Sequence, residues 1–397
     1  MLVKKRLAFV VLCFALTGFS NEDEPVPNYP FEIIGEADVP GMYETVKKST
    51  LANPARVLLI HGMRKHPVGW SDTLQKNLGD ALHLSRAGGC VSLNISNDPA
   101  HQPADKVRAH INICIYSSRK DGQRMRFYEL TWSPLTDPIK DRVLGYDDEK
   151  RWGSRSSLNE QIKHDVINEG LSDPILYLGD YNSILKWPVR QAICLVTLKD
   201  IPKGRADQPC ARAQKAEMLD SSEATKNLYI ITHSLGSAML YDTLDDLRSD
   251  AAGKRSKRPF RVTQTEKKAA ALIQEQTRTV YMFANQLPLL CLGRYQKQGD
   301  CEAAPLEKAG AVPTSIVAFT DRNDLFTYPL QKEQLHLIGL TGDPLNVIVE
   351  NGGFTIILPS FPSITDPVKS HTGYQENPSV VKMLACGTVK KKLRECK

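Results

Sequence analysis

Several chemistries leave no trace in this 397-residue chain. It has no Cys-x-x-Cys pair, which argues against zinc ribbons and thioredoxin-like redox chemistry. His-Glu-x-x-His, a phosphate-binding glycine loop and a dinucleotide fingerprint are all missing, so no metal, nucleotide or redox cofactor is expected. There is no internal repeat and no low-complexity tract. Basic and acidic residues nearly balance, 51 against 45, and clusters such as Lys254 to Arg258 and Lys390 to Lys392 read as solvated surface. Nucleic acid is therefore not an expected partner.

The only long apolar run is Leu7 to Phe19, too short for a comfortable membrane span. It follows Lys4-Lys5-Arg6, has small Gly18 and Ser20 at its end and precedes acidic Glu22-Asp23-Glu24, the layout of a secretory signal peptide. Residues 1–20 are thus expected to be a signal and the protein to be secreted or periplasmic. Removing the three basic residues would leave 48 basic against 45 acidic, a charge near +3.

Cysteine usage points the same way. Of nine cysteines, Cys13 lies in the signal, and the other eight fall into local couples: Cys90 with Cys114, Cys194 with Cys210, Cys291 with Cys301, Cys386 with Cys396. Each would staple one loop or terminus by about 3 kcal/mol in the chain-entropy model, and such bonds persist in oxidising compartments.

Hydrophobic and charged residues make up 41% and 24% of the chain, ordinary values for a folded protein. Short apolar runs rich in β-branched or aromatic residues occur at Arg56 to Ile60, Arg126 to Trp132, Leu228 to Thr232, Thr279 to Ala284, Ser315 to Thr320 and Asn346 to Glu350. Helix-like stretches lie between, at Val68 to Leu84, Tyr181 to Leu195 and Ser237 to Leu247. That alternation predicts an α/β fold with a mostly parallel central sheet flanked by helices. Asp173 to Ile193 has helical spacing around Pro174 and Pro188 and reads as two helices with a break. The long interval between strands, about 134–227, reads as an insertion or lid, 21–53 as an N-terminal extension, 54–397 as the main domain, and Asp250 to Lys268 as a surface excursion.

The pivotal segment is Leu228-Tyr-Ile-Ile-Thr232-His233-Ser234-Leu235-Gly236-Ser237, an apolar run, a small-residue turn and a helix. A nucleophile elbow needs that context: the turn is so tight that the residues two before and two after the serine must be small. Gly236 meets the second requirement, while Thr232 stands where glycine is usual. A second element, Arg56-Val-Leu-Leu-Ile60-His61-Gly62-Met63, ends an earlier strand in His-Gly. Together these segments resemble the lipase and esterase branches of the α/β-hydrolase superfamily, in separated patches from about 54 to 385. The resemblance implies Ser234 as nucleophile and an oxyanion hole from the backbone N–H of Leu235 and of Met63 or a neighbour. It also implies the chain order nucleophile, acid, histidine.

Two histidines, His336 and His371, follow the possible acids. His336 sits in an apolar neighbourhood, whereas His371 lies in the polar loop Lys369 to Tyr374 after the last strand, where the base belongs. For the acid, Ser315 to Thr320 runs into Asp321-Arg-Asn-Asp324-Leu325. Asp324, followed by Leu325 and Phe326, is taken as the acid ahead of Asp321, with the other carboxylate capping the turn. His233 is expected to pack away from the reacting face. Trp132 reads as core, with lining of an acyl pocket as the other reading. The expected activity is hydrolysis of a carboxylic ester, in a small molecule or lipid, through an acyl-enzyme. Thioester or amide hydrolysis, and an idle hydrolase fold kept for binding, stay open, as does a role at a membrane surface.

Overall fold

The computed structural model describes residues 29–96, 107–145, 156–201, 226–251, 262–292, 315–332, 344–352, 355–356 and 364–397. The expected signal at 1–20 lies outside them, as do Cys210, Cys301 and His336.

Ten strands form one sheet: β1 (Phe31–Ile34), β2 (Ala55–Ile60), β3 (Ser85–Arg86), β4 (Val91–Ser96), β5 (Val107–Ser117), β6 (Arg124–Thr131), β7 (Leu228–His233), β8 (Thr277–Phe283), β9 (Ser315–Asp321) and β10 (Leu345–Val349). Their spatial order is β1-β10-β9-β8-β7-β2-β6-β5-β3, with β4 also on β5. From β6 to β10 every neighbouring pair is parallel; β1, β3, β4 and β5 join antiparallel. All six residues of β2, and all six of β7, are buried, which is why these strands read as unbroken apolar runs.

Helices cover both faces. Those introduced by number are α1 (Tyr43–Lys47), α2 (Asp72–Ala81), α3 (Asp137–Leu144), α4 (Ser157–Ile162), α5 (Ser172–Leu178), α6 (Asn182–Val196), α7 (Leu235–Ala251), α8 (Gln264–Gln276), α9 (Leu287–Cys291), α10 (Pro367–Thr372) and α11 (Pro378–Cys386). The pleat sends alternate residues to opposite faces. Leu58 and Ile60 of β2, Ile230 of β7 and Met282 of β8 join the core under α6, α7 and α8. Val57 and Leu59, Tyr229 and Ile231, and Tyr281 and Phe283 join the core under α1, α2 and α11.

All six strand segments read from the sequence are strands, but the antiparallel hairpin β4–β5 and the edge strand β1 were not among them. The interval from β6 to β7 holds α3 to α6 and a π-helical stretch, Lys163–Leu171. The two-helix break falls at Gly179, whose extended backbone ends α5. Pro188 does not break the chain; it sits inside α6, where Leu185, Val189, Ala192 and Ile193 are buried around it. Packing of that face outweighs the lost backbone bond. Pro174 lies in the first turn of α5, where a missing N–H has no cost. Residues 250–251 and 264–268 of the expected surface excursion are helical, in α7 and α8. The expected boundary at 54 cuts through the unit, since β1 pairs with β10, and Met42 and Val46 are buried in its core.

Two predicted disulfides are present, Cys90–Cys114 and Cys386–Cys396. Cys194 is also disulfide-bonded; Cys210 and Cys301, the partners expected for Cys194 and Cys291, lie outside the described residues.

Candidate active site

In open α/β sheets, ligands bind beyond the carboxyl ends of the strands where the strand order reverses direction. Here that point is between β2 and β7: after β2 the chain fills one side from β3, β4 and β5 at the border back to β6 beside β2, then crosses to β7 and builds outward through β8, β9 and β10 on the other. The His61-Gly62 turn leaves β2 and Ser234 leaves β7, so the two sequence motifs meet at the switch point.

Ser234 has φ +53°, a left-handed conformation that is uncommon for a residue with a side chain and stores of order 1 kcal/mol or more. Its N–H donates to the Phe283 carbonyl of β8 at 2.8 Å, and its carbonyl accepts from Ser237 N–H at 3.1 Å. Two glycines make room for the turn. A Cβ on Gly62 would stand 2.6 Å from Ser234 Cβ, and one on Gly236 would stand 2.6 Å from the His61 carbonyl oxygen and 2.8 Å from that of Ile60. Thr232, the departure from the usual glycine, is accommodated because its hydroxyl hydrogen-bonds the Ser237 hydroxyl at 2.8 Å within the elbow.

Asp324 and His371 are joined. His371 Nδ1 lies 2.9 Å from each Asp324 carboxylate oxygen, and both residues are buried. Asp324 Oδ1 also accepts from Phe326 N–H at 2.9 Å. The Tyr374 hydroxyl accepts from Asp321 N–H at 2.8 Å and donates to Asp324 Oδ2 at 3.4 Å. Asp321 turns the other way, accepting from Asn323 N–H at 2.8 Å and Asn351 N–H at 2.6 Å. It ties the ends of β9 and β10 together while burial pushes its carboxyl above the usual range. Asp366 caps α10, which carries His371, by accepting from the N–H groups of Val368 and Lys369.

An Asp-bound Nδ1–H leaves His371 Nε2 as the free acceptor. That atom and Ser234 Oγ are both buried and both without a hydrogen-bond partner, and no bond joins them in this conformation. Catalytic hydrogen bonds in unliganded sites are often long or misaligned and tighten with substrate. Ser234 is fully buried.

Next to Ser234, the first residue of α7 is Leu235, and the loop after β2 begins His61-Gly62-Met63. Neither the Leu235 nor the Met63 N–H has a partner among the described residues. The direction of the Met63 amide is set by His61. His61 Nε2 accepts from Trp132 N–H at 2.9 Å, so Nδ1 carries the proton and donates to the Gly62 carbonyl at 2.7 Å. That carbonyl shares its planar trans peptide with the Met63 N–H, which therefore points the opposite way. The His61 ring is stacked on Trp132, centroids 4.6 Å apart and planes 12° apart, and the Trp132 indole N–H donates to the His61 carbonyl at 3.0 Å. Burial holds His61 neutral, well below the ordinary imidazole range.

His233 packs, as expected, but does more. Its Nε2–H donates to the His371 carbonyl at 2.8 Å, with ring centroids 5.0 Å apart. Burial and the neighbouring His371 lower its pKa to about 3, so it stays a neutral donor. The tie from His233 to His371 and the Tyr374 bridge had no signal in the sequence beyond proximity to Ser234 and His371. Trp132 supports the loop, as a core residue.

Among the described residues no group of three or more His, Cys, Asp or Glu side chains could hold a metal ion, and no helix is long and apolar enough to cross a membrane. No protein-family model, curated protein or solved structure matches the chain.

Proposed function

We propose that the protein is a serine hydrolase of the α/β-hydrolase type that cleaves carboxylic esters and works outside the cytoplasm. The observation that carries this reading is a convergence at one switch point. Among the described residues, the strand ends gather a left-handed, buried serine hydroxyl without a partner, an Asp-bound histidine whose outer nitrogen has none, and two backbone N–H groups without partners. Buried unpaired polar atoms cost about 1–3 kcal/mol each, and such strain collects where function needs it.

In this reading Ser234 Oγ attacks the ester carbonyl carbon while its proton passes to His371 Nε2. The carbonyl oxygen takes the negative charge and accepts from the Leu235 and Met63 N–H groups. The C–O bond to the alcohol then breaks, and the leaving oxygen takes the proton from His371. Water repeats the sequence on the acyl-serine, giving the carboxylic acid and free Ser234. Asp324 holds the imidazole in the Nδ1–H tautomer and stabilises its cation, and no metal or cofactor enters. The two disulfides between described cysteines support an oxidising compartment.

A fluorophosphonate probe tests the proposal. The folded protein is expected to label at Ser234, with labelling lost in Ser234→Ala and kept in Ser237→Ala. A folded protein that resists the probe would overturn the reading in favour of an idle, binding role. Matched ester, thioester and amide substrates of increasing acyl length then define the leaving group and the acyl chain.

A further inference from the structure

The loop that carries the Met63 amide is held from outside the sheet, by the interval between β6 and β7. Arg64 follows Met63 and has φ +82°, a conformation that a residue with a side chain keeps only where its surroundings impose it. Its N–H donates to Asp173 Oδ2 at 2.8 Å. Asp173 is fully buried in the first turn of α5. The carbonyl of the same 63–64 peptide faces His66 Nε2 at 3.2 Å. Both ends of one peptide plane are therefore pinned, one by the insertion and one by the loop itself.

Asp173 is fixed in turn. Its Oδ1 faces Lys140 Nζ at 3.4 Å, and that ammonium, also buried, meets Asp137 at 3.2 Å and Glu169 at 3.5 Å. These groups come from α3, the π-helical stretch and α5, so three pieces of the insertion converge on one anchor. The Arg64 guanidinium adds a partly exposed pair to Asp165 of the π-helical stretch at 3.8 Å. In the same stretch, Gly170 lies beside Met63, whose Sδ would be 3.9 Å from a Cβ there.

We propose that Asp173 is a positioning residue for the oxyanion hole: through the Arg64 N–H it sets the 63–64 peptide and with it the Met63 amide, coupling the insertion to the acyl-transfer site. The inference rests on the hydrolase reading for its catalytic consequence but not for its geometry. One peptide back, the His61 bond to Gly62 holds the plane that bears the Met63 N–H. The Met63 dihedrals are then bracketed by two pinned peptides, and releasing the 63–64 peptide leaves the plane of the donor held from one side only, by His61.

The test compares D173N, which keeps an acceptor oxygen but removes the charge, with D173A, which removes both. Turnover of D173A is expected to fall on the order of 10-fold to 100-fold with KM little changed, the behaviour of a lost transition-state donor. D173N should recover most of that loss. Both variants disturb the Lys140 cluster, so a purely structural role would lower their melting temperatures and activities in parallel. If D173A does not fold, D173L fills the space of the carboxylate while Lys140 keeps Asp137 and Glu169, and is expected to show the same loss.

Amide hydrogen exchange at Arg64 reads the geometry without any substrate. Protection is expected in the native chain and D173N and should be lost in D173A or D173L. Equal Arg64 exchange in native and acceptor-free chains, or native turnover in either acceptor-free variant, overturns the proposal. If the native protein resists the fluorophosphonate, the hydrolase reading falls while the Arg64 exchange still decides whether Asp173 holds the loop.

Discussion

The carboxyl ends of β2, β7 and β9 and the helical insertion between β6 and β7 solve opposite problems. At the strand ends, position is set by backbone: two glycines with no room for a Cβ, a left-handed serine, and carbonyls and amides that fix three histidines. In the insertion, position is set by charge: one buried lysine among three carboxylates holds α3, the π-helical stretch and α5 together. The same insertion leaves Val143, Ile162, Ile167 and Ile175 exposed. Packed strand ends hold their atoms more rigidly than charge pairs between helices that leave apolar residues exposed, so α3, the π-helical stretch and α5 are the part expected to open more readily.

The largest test of this contrast lies on the strand side. Asp324→Asn should lower turnover by about 10⁴-fold, because the amide no longer fixes the reactive tautomer. Asp321→Asn, which caps a turn, should cost less than about 10-fold by the same logic. Comparable losses in the two variants, measured as kcat on one ester, would reverse their assignment.

Acidification should separate the two regions by sign. His61 and His233 are held neutral in the fold, His233 with a pKa of about 3 and His61 well below the ordinary range. Both take up protons near pH 6.5 when unfolded. Their contribution is present above pH 6.5 and is lost as pH falls toward the folded values, about 2 kcal/mol each between pH 7 and pH 5. Burial raises Asp137 and Asp173 instead, so lower pH relieves a penalty there. Hydrogen exchange at pH 5, corrected for intrinsic rates, should show the loop 61–66 and the elbow losing protection while α3 and α5 hold or gain it. A uniform loss would break the contrast.

Next in size, Gly236→Ala should destabilise by about 1–3 kcal/mol, because carbonyls of β2 must give way. A denaturation midpoint unchanged from the native chain would show that the elbow has slack. Smallest of all, Ile175→Ser on the exposed face of α5 should change stability by less than about 0.5 kcal/mol.

The same contrast governs what could be read from the amino acids alone. The parallel strands were legible because burial on both faces leaves an unbroken apolar signature, as in β2 and β7. Ser234 and Asp324 stood out because each follows the end of such a run, and His371 because it is one of two histidines after the possible acids; the structure brings Asp324 and His371 into contact. The hairpin β4–β5 was missed because its strands are antiparallel and carry polar residues such as Asn94, His110 and Asn112 between the apolar ones. The bond from Arg64 to Asp173 spans 109 positions and joins a strand-end loop to a helix; no local period encodes it. Pro188 misled because a proline signals a local break, while α6 is held by what packs around it.

The hairpin also bears on the fate of the protein in use. β1 closes one border of the sheet against β10, and the Cys90–Cys114 bridge rivets β4 to β5 at the other. Cutting that rivet with a mild reductant would not touch the chemistry at Ser234, yet it would let β4 peel away and expose the alternating apolar residues of β5 as a template for a second chain. Reduced samples should therefore cloud with self-association, and light scattering would rise before the labelling proposed for Ser234 falls.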